Sequence, residues 1–305
     1  MSISEFEYFL FSAVGAENVQ AEEPLSAHTT FKIGGPAQWL VRPHSEDEIR
    51  VVATLCSNFE VDLHVLGLGS NVLASDEGVR GVVMLLADNF NAISIKGTRI
   101  IAQAGASNEA VSHAACTASL SGYEFASGIP GTVGGAAIMN AGAYDGEFKD
   151  VAESVRCLTP EGEFVEIPAA AAQWSYRHSL MADKGYIVVG VTLALAPGNQ
   201  ADIQARIDDL TQRRADKQPL EMPSAGSTFK RPEGYFAGKL IQDAGLRGFR
   251  VGGAQVSEKH TGFVVNAGDA TAADVLQLIS DVQDKVMDAE GVHLEPEVRM
   301  WGFQE

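Results

Sequence analysis

Residues 128–146, GIPGTVGGAAIMNAGAYDG, contain six glycines and a proline. That is too much glycine for a stable helix or strand, because glycine loses more backbone freedom on ordering than any other residue. The segment is also too apolar for a simple solvated loop. Such a stretch suits close approach to a ligand. Without a Cβ, backbone N–H groups can reach phosphate oxygens, and consecutive N–H groups in a turn form an anion-binding concavity. A second run of this kind, Gly67-Leu68-Gly69-Ser70-Asn71, directly follows an apolar strand predicted over 61–66. Two such loops suit a dinucleotide, although either loop alone is more often a tight structural turn.

Neither loop fits the common nucleotide fingerprints. Val72 stands where the third glycine of G-x-G-x-x-G would fall after Gly67 and Gly69, and no G-x-x-x-x-G-K-[ST] occurs in the chain. A nicotinamide-binding Rossmann domain and an ATP-binding P-loop are both disfavoured.

Around these loops the pattern alternates. Ser45 with Glu48 forms a capping box, and Ile49, Val52, Ala53 and Cys56 repeat at helical spacing, which predicts a helix over 46–57. Strands are predicted at 81–86, 93–95, 100–104, 155–158, 164–167 and 186–195, with a helix capped by Ser107 and ending near Gly122. The polar stretch Pro197-Gly198-Asn199-Gln200 reads as a linker. A second unit is predicted to open with a helix over 201–217, stopped by Pro219. It continues to a helix starting at Thr271, whose stripe Val275, Leu278, Ile279, Val282 and Val286 is a core face. The 305 residues therefore divide into domains over 1–198 and 199–305, the first with two lobes meeting near 80–90.

The net charge of -18 argues against nucleic acid or anionic lipid as a partner. No apolar run approaches the roughly 20 residues needed to span a bilayer, and the N-terminal stretch carries acids where a signal peptide would be basic, so no membrane insertion and a cytoplasmic location are expected. Cys56, Cys116 and Cys157 lie far apart on apolar patterns with no C-x-x-C pair or His cluster, which reads as three reduced, buried, structural thiols and no metal site.

Taken together, His28-Thr29-Thr30-Phe31-Lys32-Ile33-Gly34-Gly35, Val65 to Asn71 and Gly128-Ile129-Pro130-Gly131-Thr132-Val133-Gly134-Gly135 resemble, in order and spacing, the UDP-N-acetylenolpyruvoylglucosamine reductase family. The resemblance continues through Ser224-Ala225-Gly226-Ser227-Thr228-Phe229-Lys230-Arg231-Pro232, Ala237 to Ile241, Val251 to Asn266 and Leu294-Glu295-Pro296-Glu297-Val298-Arg299, and so covers most of the chain from about residue 24. It implies an α+β protein: a two-lobed FAD-binding fold of the vanillyl-alcohol-oxidase (PCMH) type plus a C-terminal α+β substrate domain. FAD would be held noncovalently by Gly67, Gly69, Ser70, Asn71 and Val72, by Gly128, Ile129, Pro130, Gly131, Thr132, Gly134, Gly135 and Ala136, and by the nearby Asn140 and Gly142.

The resemblance implies a monomer that uses NADPH to reduce the enolpyruvyl ether of UDP-N-acetylglucosamine-enolpyruvate to UDP-N-acetylmuramate. Hydride passes from NADPH by way of the flavin to the methylene carbon, and a carbanion develops beside the substrate carboxylate. Stabilising that charge and quenching it with a proton are separate tasks. By matching motifs, Arg177 and Glu297 polarise the carboxylate, Glu297 protonated or sharing a proton, and Ser227 delivers the proton.

Residues 226–262 hold six basic residues against three acidic ones in an otherwise acidic chain, a reason for a diphosphate and a carboxylate to dock there. Lys230, Lys239, Gln255 and Asn266 are the expected substrate contacts, with His260 behind them. Two positions depart from the family pattern: Arg231, where Asn is often found, and His178, where many relatives carry Asp. The short run from Ser179 to Leu195 lacks room for the inserted loop of one branch, which points to the shorter second type. An oxidase of the same fold and a non-catalytic nucleotide-sugar sensor are the competing readings. The Ser227 and Glu297 motifs disfavour the first, and the presence of all three candidate catalytic residues disfavours the second.

Overall fold

The computed structural model describes residues 3–303. They form two compact units that are discontinuous in sequence: residues up to 21 with 39–68 and 81–214, and residues 22–38 with 69–80 and 215 onward. The sequence reading divides the chain once, between 198 and 199. The difference has a structural reason, because the boundaries near 21, 38 and 80 fall inside the strands Val19–Pro24, Pro36–Val41 and Val79–Leu85.

The first unit holds α1 (Ile3–Val14), α2 (Glu46–Phe59), α3 (Asn108–Thr117), α4 (Val133–Met139), α5 (Leu180–Asp183) and all but the end of α6 (Gln200–Lys217). Its four-stranded sheet runs in the order Val19–Pro24, Pro36–Val41, Val79–Leu85, Leu63–Leu66, the last pair being parallel. A five-stranded antiparallel sheet runs in the order Phe164–Pro168, Ala152–Leu158, Ile187–Ala194, Arg99–Gln103, Ile93–Lys96. One buried cluster joins them, with Val82 and Met84 from the first sheet and Val155, Val191 and Ile100 from the second.

Local chemistry sets the predicted helices. Ser45 accepts the N–H of Glu48 at the start of α2, Ser107 that of Ala110 at α3, and Thr271 that of Asp274 at α8 (Ala272–Glu290). The cysteines are buried and free, and burial pushes the Cys56 and Cys157 thiols up to about 12.

Three expectations are corrected. Residues 128–146 do contain a helix, α4, between the cap at Thr132 and a left-handed Asn140 at φ 42°. Its glycines are tolerated because a Cβ on Gly134 would lie 2.8 Å from the Cβ of Ala104, so glycine lets the helix lie close against the core; packing overrides propensity. The helix predicted to reach Gly122 stops at Thr117, since Leu120–Ser121 instead pairs with Ala196–Pro197. The expected linker is therefore pinned, with Gly198 N–H donating to Ser119. Finally, α6 does not open the second unit. Its buried Ile203, Leu210 and Arg214 belong to the first.

The second unit has a four-stranded antiparallel sheet in the order Ser224–Ser227, Phe263–Asn266, Ala254–Val256, Arg250–Val251, with α7 (Ala237–Asp243) and α8. The predicted stripe Val275, Leu278, Ile279, Val282 and Val286 is buried against Ala254, Val256 and Val264. The strand Arg299–Trp301 runs parallel to Val72–Ala74.

Candidate active site

In the first unit Gly67, which opens the first glycine loop, meets the second loop. A Cβ on Gly67 would fall 2.5 Å from Oγ1 of Thr132, the cap of α4, so glycine is what lets the end of the strand Leu63–Leu66 approach the second loop. Gly128 lies against the Arg214 side chain, where a Cβ would sit 2.8 Å from Nε. Arg214 is 8% exposed, its guanidinium lies 5.9 Å from the Tyr144 ring, and burial lowers its pKa against the opposing pull of the Tyr144 hydroxyl. Sequence reasoning missed this residue. The signal was present: Arg214 occupies the apolar stripe of α6 that Ile203, Ile207 and Leu210 begin.

Gly135 is exposed, and a Cβ there would meet only Thr132 Oγ1, at an ordinary 3.7 Å. An exposed glycine backbone, with a buried cation at the preceding loop, fits a diphosphate-bearing cofactor. Asn140, expected among the cofactor contacts, is 2% exposed and its side chain is engaged within the protein.

Arg177 also belongs to the first unit. Ser175 and His178 exchange backbone hydrogen bonds of 3.2 and 3.3 Å, making a tight turn with Tyr176 and Arg177 at its tip. Arg177 has φ 55°, a left-handed conformation that costs a non-glycine residue on the order of 1–2 kcal/mol. Its guanidinium lies over the Tyr176 ring at 5.1 Å, and its charge helps hold the Glu147 carboxyl below the usual range, behind the larger effect of a hydrogen bond from Lys149. His178, the departure from the pattern, pairs with Asp183 at 2.8 Å.

In the second unit Ser227 and Glu297 come from adjoining segments. The Glu297 N–H donates to the Thr228 carbonyl at 2.8 Å, and Phe229 bridges Pro296. Glu297 is 9% exposed, whereas Ser227 is exposed. Asn71 of the first loop joins them, donating to the Glu297 carbonyl at 3.3 Å and accepting from the Arg299 N–H at 3.0 Å. Gly69 has φ 62°, and a Cβ there would lie 2.3 Å from the His28 carbonyl oxygen. Glycine at 69 is thus required by the His28–Thr29 backbone.

The expected substrate contacts divide. Ser227 stands opposite Phe263 and Gln255 opposite Val265; since side chains alternate along a strand, Ser227 and Gln255 share the face turned away from α8. Asn266 stands opposite Ala254 and lies on the other face, its side-chain Oδ1 accepting the N–H groups of Gly268 and Ala270. Lys230 pairs with Glu295 and Lys239 with Asp243, so the local positive charge is partly neutralised. His260 accepts the Gly262 N–H through Nδ1 at 3.2 Å, and burial lowers its pKa.

Residues 37–168 match the family model described as FAD binding domain, and residues 218–301 match that of the UDP-N-acetylenolpyruvoylglucosamine reductase C-terminal domain. Fold and site together define an FAD-dependent oxidoreductase built on the fold of the vanillyl-alcohol-oxidase type. An alkyldihydroxyacetonephosphate synthase structure, 16% identical with a TM-score of 0.50 over 65% of this chain and 41% of that one, shares the fold alone. UDP-N-acetylenolpyruvoylglucosamine reductases from Lachnoclostridium phytofermentans and Clostridium beijerinckii are 52% and 51% identical, each over 96% of both chains. The crystal structure of UDP-N-acetylenolpyruvylglucosamine reductase from Thermus caldophilus superposes with a TM-score of 0.80 at 36% identity, over 93% of this chain and 98% of that one. The chain belongs to the UDP-N-acetylenolpyruvoylglucosamine reductase family.

Proposed function

We propose that this enzyme reduces the enolpyruvyl ether of UDP-N-acetylglucosamine-enolpyruvate to UDP-N-acetylmuramate at the expense of NADPH, through Arg177, Ser227 and Glu297. The observation that carries the assignment of residues is the 2.8 Å backbone bond from Glu297 to Thr228, which supports joint action of Glu297 and Ser227. FAD, when bound, supplies the two-electron chemistry that relays hydride from NADPH to the methylene carbon.

Thr132, Gly134, Gly135 and Gly67, with Arg214 beside Gly128, would hold the cofactor. Gly128, Ile129, Pro130, Gly131, Ala136 and Gly142 complete its loop, while Gly69, Ser70, Asn71 and Val72 form the other. Arg177 and Glu297 polarise the substrate carboxylate, so that the charge left by hydride addition spreads onto it as an enolate. The Ser227 hydroxyl then donates its proton to the adjacent carbon. Gln255 contacts the nucleotide sugar from the Ser227 side, with Lys230 and Lys239 flanking. The first compact unit carries Arg177 and most of the cofactor contacts, and the second carries Ser227, Glu297 and the substrate-binding lysines.

The enzyme acts in the cytoplasm as a monomer. Among the described residues no helix is long and apolar enough to cross a membrane. Sedimentation of the purified protein checks the monomer, and a dimer mass removes it. For the reaction itself, the purified protein should be yellow and oxidise NADPH in proportion to added enolpyruvyl nucleotide sugar. NADPH oxidation that follows oxygen and ignores the sugar would establish the oxidase reading instead.

A further inference from the structure

A left-handed arginine persists only where the surrounding structure fixes it. Around the Arg177 turn, three side-chain hydrogen bonds do so, and all three involve the last turn and cap of α4. The Trp174 indole N–H donates to the Ala137 carbonyl at 2.7 Å, and the Ser179 hydroxyl donates to the Ile138 carbonyl at 2.8 Å. Between them, the Asn140 amide donates to the Ser175 carbonyl at 3.2 Å.

Asn140 is the centre of this mount. It also donates to Glu147 Oε2 at 3.0 Å and accepts the Lys149 N–H at 3.0 Å, so both amide hydrogens and one oxygen lone pair are committed inside the protein. It is itself left-handed and buried, which suits an internal tie better than a ligand contact. The other end of α4 carries Thr132 and Gly135. One short helix therefore presents the second glycine loop at its start and fastens the Arg177 turn at its end.

We propose that Asn140 is a positioning residue that sets Arg177 relative to the second glycine loop by holding Ser175. The proposal rests on the reading of Arg177 as a group that polarises the substrate carboxylate. A turn released from Asn140 keeps its arginine but loses its aim, and small misplacement of a catalytic group can cost about 100-fold.

The test is a double-mutant cycle on the FAD-loaded enzyme. Glycine tolerates the left-handed backbone at 140, so Asn140→Gly removes the side chain without adding strain. Its FAD content, read as the ratio of flavin to protein absorbance, is expected to equal that of the parent. Its flavin reoxidation by the enolpyruvyl substrate is expected to slow by about 10- to 100-fold. Added to Arg177→Ala, it should cost less than about twofold more, because residues acting as a unit are not additive. Asn140→Asp, which keeps the acceptor for Lys149 but cannot donate to Ser175, should behave like the glycine variant and guards against misfolding of one of them. Losses that multiply in the double variant overturn the proposal, as does a parental reoxidation rate in either single variant at 140. FAD loss as the main effect of Asn140→Gly also overturns it, and would make Asn140 a cofactor contact. A parental rate in Arg177→Ala alone sinks the reading of Arg177 itself, and the cycle tells the two failures apart.

Discussion

Ser227 stands opposite Phe263 in the antiparallel ladder, while Ser224, three residues earlier, stands opposite Val265, only two residues away. The extra residue is accommodated by a bulge containing Gly226 at φ 77°, a device that re-aims the side chain following it. It leaves Ser227 exposed on the sheet face opposite the core of its unit, beside the segment that carries Glu297.

Ser227→Ala should spare flavin reduction by NADPH, which needs no proton from this residue, and cripple reoxidation by the enolpyruvyl substrate. Loss of one positioned general acid costs about 100- to 10,000-fold, or roughly 3 to 5.5 kcal/mol of barrier. Stopped-flow absorbance times the two half-reactions separately. Reoxidation within a few-fold of the parent would remove Ser227 as the donor.

The glycines at 69 and 135 should respond oppositely to substitution. Valine at 69 would place its Cβ 2.3 Å from the His28 oxygen in a left-handed backbone, so Gly69→Val should destabilise the folded protein along with any loss of FAD. Alanine at 135 makes only an ordinary 3.7 Å contact with Thr132 Oγ1 and sits inside a helix, where it is favoured over glycine by up to about 1 kcal/mol. The apo form of Gly135→Ala should therefore melt no lower than the parent while binding FAD more weakly. Differential scanning calorimetry with a flavin fluorescence titration checks both; unchanged FAD affinity would show that this face is not the cofactor's.

Burial of Cys56 and Cys157, with thiols pushed up to about 12, leaves almost no thiolate at neutral pH. Cys116 is equally buried, against Gln200 and Gln204. An aromatic disulfide reagent at pH 8 should label none of the three until denaturant is added, then all three. Rapid labelling of the native protein would contradict their placement in the core.

The capping box of α8 gives a prediction with a definite sign in pH. The backbone N–H groups of Thr271 and Gly253 hold the Asp274 carboxyl below its ordinary range, so its contribution is full above the unfolded carboxylate pKa and is lost as pH falls through the lower folded value. Urea denaturation should find Thr271→Ala about 1 kcal/mol less stable at pH 7. The deficit of Asp274→Asn should shrink on going from pH 7 to pH 3. A deficit that grows in acid would mean that the carboxylate is not what the cap uses.

Much of the site was legible one motif at a time. The two glycine loops sit in short runs whose composition already limits the backbone, and the buried stripe of α8 repeats at helical spacing for the same local reason, whereas Ser227 and Glu297 stand out only through the family motifs they resemble. The mount under Arg177 was not legible, since Asn140 and Ser175 are 35 residues apart and an Asn ending a glycine-rich run looks like any other turn residue. The burial of Arg214 could be read only from its place on the stripe of Ile203, Ile207 and Leu210, against the usual rule that an arginine on a polar helix is solvated.

By itself, then, the sequence determined what depends on neighbours along the chain: the caps at Ser45, Ser107 and Thr271, the helical stripes and the glycine-lined loops. These rest on hydrogen bonds and steric limits within a few residues. Tertiary structure decided what depends on partners far along the chain. It made a helix of Val133–Met139 by seating Gly134 on Ala104, put Gln255 and Asn266 on opposite faces through strand register, and paired Lys230 with Glu295. In each case the deciding energy is packing or pairing between segments that no local propensity encodes.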